Sequence, residues 1–452
     1  MRVPALRVAL VAVIVALLGA GLGAVVTRNG EGGSKVASRA AATTSTSTIT
    51  IAPTSTTTTP PPTTTQPTPP ALTLAFNQIH DQVALLRGLP WLAPLDISVA
   101  PDAEFVRQLT AVDRRDMHID RMQGDGETLK VLKLIPQSTD YIKTIMDLYG
   151  GAVLGFYDPK TKRLLVRANG STLTSEQRVT VAHEMDHALT DQHFQFGPAT
   201  DALDAADKGE QGTAYSGLLE GDAKTLEAQW GAKYLSSREQ SQASGEASTG
   251  SSVYDRTPPF IVNALLWPYT TGRAFVTSRF RAGGWGAVND AYRRPPDSTL
   301  VVEQPTQYLA GRTWSTPEFP NLAASTGCTP VRANTLGQFT MEELLHEHLD
   351  PTTSDEVSDG WSGDAFATIR CGSARGFADR WTAPDTVAAG KLVSALSSWA
   401  GDWSGGHTRP ASDGRFAGPS GYGRIVAAGT RVDLILADDP PTADKVNAAL
   451  GD

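Results

Sequence analysis

A chain of 452 residues has room for two or three average domains and certainly for one sizeable hydrophobic core. An apolar share of 40% and a charged share of 19% suit a globular protein with a polar segment attached, which excludes wholesale disorder. The net charge of −9, with no basic patch in the body, argues against nucleic acid as a partner.

At the N-terminus, Arg2 and Arg7 precede a run from Val8 to Val26 that holds no charged residue. As a helix this run would extend about 28 Å, close to the thickness of a bilayer's hydrocarbon core. Arg28, Glu31 and Lys35 follow, so positive charge is modestly heavier on the N-terminal side, which would stay cytoplasmic. Two readings stand for residues 1–28: an uncleaved transmembrane helix, or a signal peptide cut near Gly19, Gly21, Gly23 and Ala24. Both export the body. Residues 29–71 form a linker, and Thr43 to Pro70 is almost entirely Thr, Ser and Pro, which cannot bury apolar surface and stays extended. O-glycosylated stalk and bare spacer are both open, and both hold the body away from the membrane. The folded domain is expected over residues 72–440, with 441–452 as a C-terminal tail.

Leu74, Ile79, Val83 and Leu86 predict a first helix ending at Gly88. Leu95 to Val99 reads as a short strand, Asp102 to Val112 as a helix, and Lys130 to Tyr149 as one or two helices interrupted at Pro136. Ala152 to Tyr157 and Arg163 to Ala168 read as a hairpin around Asp158-Pro159-Lys160-Thr161-Lys162. It leads directly into the stretch that carries the chemistry.

That stretch is His183-Glu184-Met185-Asp186-His187, an H-E-x-x-H pattern in a chain with only 8 histidines. Thr174 and Gln177 fit a capping box, and Val179, Ala182, Met185, Ala188 and Leu189 recur at helical spacing. In a helix, residues four apart share a face, so His183 and His187 can hold one metal ion together. Glu184, about 100° round from His183, can reach a water on that metal without ligating it. Asp191 lies one turn beyond His187. It reads either as acceptor for the second ring N–H of a ligating His or as a solvated residue at a helix end.

Two histidines leave a catalytic zinc one protein ligand short. The candidate for the vacancy is Glu220, in a second helical stretch from about Thr213 to Leu235, where it lies among Tyr215, Leu218, Leu219, Leu226 and Trp230. Glu227, two turns on, shares its face and competes.

Ser236 to Ser252 is polar and reads as a mobile loop. Pro258 opens a helical region to about Arg281, and a shorter helix follows Trp285-Gly286 and reaches Tyr292 before Pro295-Pro296. Cys328 and Cys371 are the only cysteines and are expected to pair in an exported chain; without a CxxC, a two-Cys zinc site is disfavoured. His346 and His348 sit on different helix faces and read as surface residues, as does His193. Arg424 to Ala427 and Arg431 to Leu436 suggest a hairpin around Gly429.

His183-Glu184-x-x-His187 followed at a distance by Glu220 resembles the gluzincin zinc metallopeptidases, the thermolysin-like division whose third ligand is a Glu on the next helix. Further stretches are similar to a little-characterised group of bacterial HExxH proteins. They are Gly155-Phe156-Tyr157-Asp158, His183 through Gln192, and Glu220-Gly221-Asp222-Ala223. Pro268-Tyr269-Thr270-x-Gly272, Pro295-Pro296-x-Ser298-Thr299 and Gly360-Trp361-x-Gly363-Asp364 follow. The similarity spans roughly residues 74 to 440. It implies an α+β, mostly helical, zincin-like fold with a small sheet or hairpin beside the HExxH helix. In zincin peptidases such a strand holds extended substrate by main-chain pairing; the hairpin fits that role or a purely structural one. The implied activity is hydrolysis of a protein or peptide substrate. Zn²⁺ would sit on His183, His187 and Glu220, with Glu184 as general base. Tyr269 is the candidate donor to the oxyanion because it lies in a group-specific motif; the alternative is a core aromatic. The chain departs from the group where Gln304-Pro305 stands in place of His-Pro. A second function class is a surface binding module with a structural zinc, against which stand the unfilled fourth position and the presence of Glu184.

Overall fold

The computed structural model describes residues 69–116, 118–248, 251–407 and 409–451, and within them the protein is α+β and mostly helical. The expected N-terminal helix of residues 1–28 and nearly all of the linker lie outside the described residues. Among the described residues no helix is long and apolar enough to cross a membrane.

The first helix, Pro70–Arg87, has proline in its first turn and stops at Gly88, whose φ of 68° is left-handed. It buries Leu72, Phe76, Ile79, Val83 and Arg87, while Leu74 faces solvent. Strands β1 (Asp96–Ala100), β2 (Gly155–Asp158) and β3 (Arg163–Arg167) form a sheet in the order β1-β3-β2. β2 and β3 are the hairpin read from the sequence, with Tyr157 opposite Leu164. β1 adds parallel to β3, which leaves β2 as an edge strand. Between β1 and the hairpin run helices Asp102–Asp116, Ile119–Leu132 and Tyr141–Ala152, the last two flanking Pro136.

Three long helices, Ser175–Phe194, Gly209–Tyr234 and Pro259–Arg293, build the centre. The second and third touch backbone to backbone. A Cβ added to Gly221 would lie 2.2 Å from the Gly272 carbonyl oxygen, and one added to Gly272 would lie 2.2 Å from that of Gly217. Within residues 259–293 the helical path breaks at Gly283 and Gly284, which are non-helical, the latter at φ 59°, so two helices meet at a kink there, as the sequence predicts.

The sequence predicts only one hairpin in the C-terminal part, around Gly429. The structure has a six-stranded antiparallel sheet of β4 (Thr329–Asn334), β5 (Asp364–Cys371), β6 (Ala374–Thr382), β7 (Arg415–Gly418), β8 (Gly421–Ala428) and β9 (Arg431–Ala437). Its order is β4-β5-β6-β9-β8-β7; the small sheet expected beside the HExxH helix is the three-stranded one, and this larger sheet is additional to it. β5 and β6 escape a period-2 search because both of their faces are buried. Phe366, Phe377, Trp381 and Leu434 pack in one core with Leu396 and Trp399 of helix Thr386–Ser404. Ala367, Ile369, Ala378 and Ile435 pack in another with Val446 and Leu450 of helix Pro440–Leu450. Residues 441–452 are therefore not a tail: all but their last two form most of the helix that covers this second face. Cys328 and Cys371 are disulfide-bonded and join the start of β4 to the end of β5.

Ser236 to Ser252 is also not the loop expected. Helix Ser237–Ser248 fills most of it, and a 3₁₀ turn follows over Ser251–Arg256. The overlooked signal is a capping box: Glu239 N donates to Ser236 Oγ at 3.3 Å, and Ser236 N donates to Glu239 Oε2 at 2.8 Å. The Arg178 guanidinium on the HExxH helix holds Glu239 at 2.7 Å, and Ala243 is buried.

Candidate metal centre

The HExxH helix begins with the capping box read from the sequence. Gln177 N donates to Thr174 Oγ1 at 3.3 Å, and Thr174 N donates to Gln177 Oε1 at 2.9 Å. From Val179 to Asp191 every residue is buried. The helix thus threads the core, where polar side chains need partners.

His183, His187 and Glu220 converge. His183 Nε2 lies 3.0 Å from His187 Nε2 and 3.2 Å from Glu220 Oε2; His187 Nε2 lies 3.4 Å from the same oxygen. Atoms bound at about 2.0–2.1 Å to a tetrahedral zinc lie about 3.3 Å from one another, so the spacing fits such an ion. The donor chemistry fits as well. His183 Nδ1 is 3.0 Å from Glu227 Oε2, and a carboxylate can only accept there, so Nδ1 carries the proton and Nε2 presents its lone pair to the centre.

Glu227 therefore stands behind the candidate ligand His183 and is not part of the cluster His183, His187 and Glu220. Lys224 Nζ donates to both of its oxygens, at 2.7 and 2.9 Å, and supplies the buried counter-charge. Burial pushes the Glu227 carboxyl up, but Lys224 and His183 bring it below its usual value. For Glu220, burial likewise raises the pKa, and His187 and His183 pull it below the ordinary range. Both shifts favour the ionised form, the form in which a carboxylate could ligate a metal or hold a ligating histidine.

Glu184 is fully buried. Its Oε2 accepts from Tyr157 N on edge strand β2 at 2.8 Å, and its Oε1 has no hydrogen-bond partner. Burial and then the charge of Glu220 raise its pKa well above the carboxylate range. A carboxyl held by one oxygen, with the other unengaged, can take and return a proton. The sequence predicts the hairpin beside this helix, but the main-chain hold on Glu184 depends on tertiary packing and has no local signal.

Asp191 takes neither expected role. It is buried, not solvated, and it touches no ligating histidine: its carboxylate accepts from Tyr157 Oη at 2.8 Å, from Gly197 N at 3.1 Å and from Lys162 Nζ. It clamps the hairpin and the next helix to the end of the HExxH helix. Tyr269 is buried in helix 259–293. It lines a cavity of about 330 Å³ with Glu210, Ser216, Phe260 and Phe339; His183, His187 and Glu220 are not in that wall. Gln304 donates to Asp359 Oδ1. His193 Nε2 donates to the Pro90 carbonyl at 2.7 Å, and His346 Nε2 pairs with Asp355 at 3.1 Å.

The remaining motifs acquire physical roles. Gly221 and Gly272 are the points where the helix carrying Glu220 meets its neighbour. Gln192 bonds both the N–H and the carbonyl of Ala93, at 3.1 Å each, and Leu92 N at 2.8 Å. Thr299 donates from N and Oγ1 to Glu210, at 2.6 and 2.8 Å. Asp364 accepts from Leu336 N, Gly337 N and Trp361 Nε1, at 2.6, 3.0 and 2.8 Å. Comparison with family profiles, curated proteins and solved structures finds no match for this chain.

Proposed function

We propose that the protein is a zinc-dependent peptidase of the gluzincin kind. The observation that carries this reading is the convergence of His183 Nε2, His187 Nε2 and Glu220 Oε2 within 3.0–3.4 Å of one another, next to Glu184 in sequence and space. Zn²⁺ held by these residues would lower the pKa of a bound water and polarise the scissile carbonyl. Glu184 Oε1 would accept a proton from the attacking water and return it to the leaving amine, while Tyr157 N–H holds Oε2. Glu227 keeps His183 in the ligating tautomer. Tyr269 lines a cavity whose wall holds none of His183, His187 and Glu220, so it is given no part in this step, and the core-aromatic alternative suits its burial. The zincin-like fold belongs to the same reading.

We infer that the body lies outside the cytoplasm, anchored or released by the segment Val8 to Val26, a reading supported by that charge-free run and by the disulfide, which suits an oxidising compartment. Substrates are then exported proteins or wall-associated peptides. A second reading is favoured by one observation: His183, Glu184, His187 and Glu220 are all 0–2% exposed. Such closure suits a structural zinc in a surface binding module.

One comparison separates them. Purified full-length protein should contain one zinc per chain and cleave members of a peptide library. Glu184→Gln should keep the zinc and lose cleavage, and His183→Ala should lose both. Zinc present in a wild type that cleaves nothing would favour the binding module; full zinc in His183→Ala would sink the site.

A further inference from the structure

One fully buried cation lies against the two ligand helices without being a ligand. Arg87 ends the first helix, just before Gly88, and its side chain is 0% exposed. Its Nη2 donates to Asp222 Oδ2 at 3.0 Å, and its Nε lies 3.7 Å from Asp186 Oδ1. Tyr292 Oη donates to Asp222 Oδ2 at 2.8 Å, and the guanidinium stacks over the Trp285 ring, 4.4 Å from its centroid. Asp186 immediately precedes ligand His187, and Asp222 is two residues after ligand Glu220. Among the described residues, Arg87 is the one cation within ion-pair distance of either aspartate.

We propose that Arg87 is the positioning residue of the metal centre, an inference that rests on the metal reading above. Its guanidinium bridges helix 209–234, through the Nη2 hydrogen bond to Asp222, and helix 175–194, through the 3.7 Å ion-pair contact of Nε with Asp186, at the level of the ligands. Because both helices are rigid, the tie sets the rotation and separation that leave His187 Nε2 and Glu220 Oε2 3.4 Å apart. A metal site tolerates displacement of its donors by only about 0.5 Å. Arg87 also balances two carboxylates that would otherwise be buried side by side. The charge role and the positioning role make different predictions, and only the second bears on the metal.

The test uses the full-length protein. Zinc affinity is measured by competition with a chromophoric chelator, ligand geometry by the visible spectrum of the Co²⁺-loaded protein, and folding by thermal melts followed by circular dichroism. Arg87→Met should weaken zinc binding about 10- to 100-fold, the range found for groups that orient ligands, and should alter the Co²⁺ spectrum. Arg87→Lys, which keeps the charge but not the fork, should recover melting temperature more than zinc affinity. The triple variant Arg87→Met, Asp186→Asn, Asp222→Asn removes the charge imbalance but not the loss of the tie. It should melt near the wild type and still bind zinc weakly. If the triple variant regains wild-type zinc affinity, or Arg87→Met folds and binds zinc normally, Arg87 is a structural charge and the inference is overturned. If Arg87→Met fails to fold, the lysine and triple variants decide by the same criteria. A wild type that binds no zinc overturns the metal reading and this inference with it, whereas zinc binding unaffected by the variants overturns this inference alone.

Discussion

Two imidazole lone pairs and a carboxylate oxygen aimed at one point repel each other unless a cation sits among them, so the residue that aims them matters as much as the ligands. Glu227 does this for His183 by accepting from Nδ1. Its position seven residues after Glu220 made the two look equivalent in the sequence. The tertiary structure separates them, because Glu220 meets the Nε2 side of the histidines and Glu227 the Nδ1 side. Glu220→Ala is therefore expected to strip zinc from the protein. Glu227→Gln should fill with zinc at saturation but bind it about 10- to 100-fold more weakly. Zinc titrations of the two variants decide; the opposite pattern would exchange the two roles.

At the scale of elements, the metal centre depends on how closely two helices approach. Glu220 reaches the histidines from a helix whose Gly217 and Gly221 lie against Gly272 of helix 259–293. A methyl group at 221 would meet backbone at 2.2 Å, which no side-chain rotation relieves. Gly221→Ala is expected to cost about 1–3 kcal/mol of stability by overpacking and to lower zinc affinity, since its neighbour Glu220 must move. Gly231→Ala, in the same helix with nothing within 4 Å of the added Cβ, should be neutral or stabilising by up to about 1 kcal/mol. Urea unfolding of both variants, with zinc titration, checks the pair. Equal effects would mean that helix propensity, not the close approach, governs position 221.

At the scale of the whole molecule, the helices that carry the candidate metal ligands and the C-terminal sheet are joined through one shared core, which runs from Phe156 and Tyr215 to Phe377 and Trp399. The disulfide closes the edge of that sheet by linking β4 to β5. In material exported to an oxidising compartment, thiol labelling of the unreduced, denatured protein should find no free cysteine. Protease added to intact cells should remove the body and leave a membrane-bound stub carrying an N-terminal tag. Protection of the body until lysis would reverse the proposed orientation. A body released into the medium with a new N-terminus shortly after Val26 would make that run a cleaved signal peptide.

What could be read from the sequence was local. The spacing of His183 and His187, the capping box at Thr174 and Gln177, the hairpin at residues 155–167 and the helix stop at Gly88 each depend on residues within a turn or two of one another. Local rules of periodicity and capping describe such features fully. The Ser236/Glu239 box was equally local and would have turned the expected loop into a helix. Other features only the tertiary structure decided. Which of Glu220 and Glu227 faces Nε2 depends on how one helix is rotated against another. Asp191's partners, Arg87's bridge and the main-chain hold on Glu184 join segments distant in sequence. β5 and β6 lie between two helices, so neither face keeps the polar alternation that betrays a strand. For each of these, burial and pairing set the side chain's role, and both are properties of the packed chain rather than of any window along it.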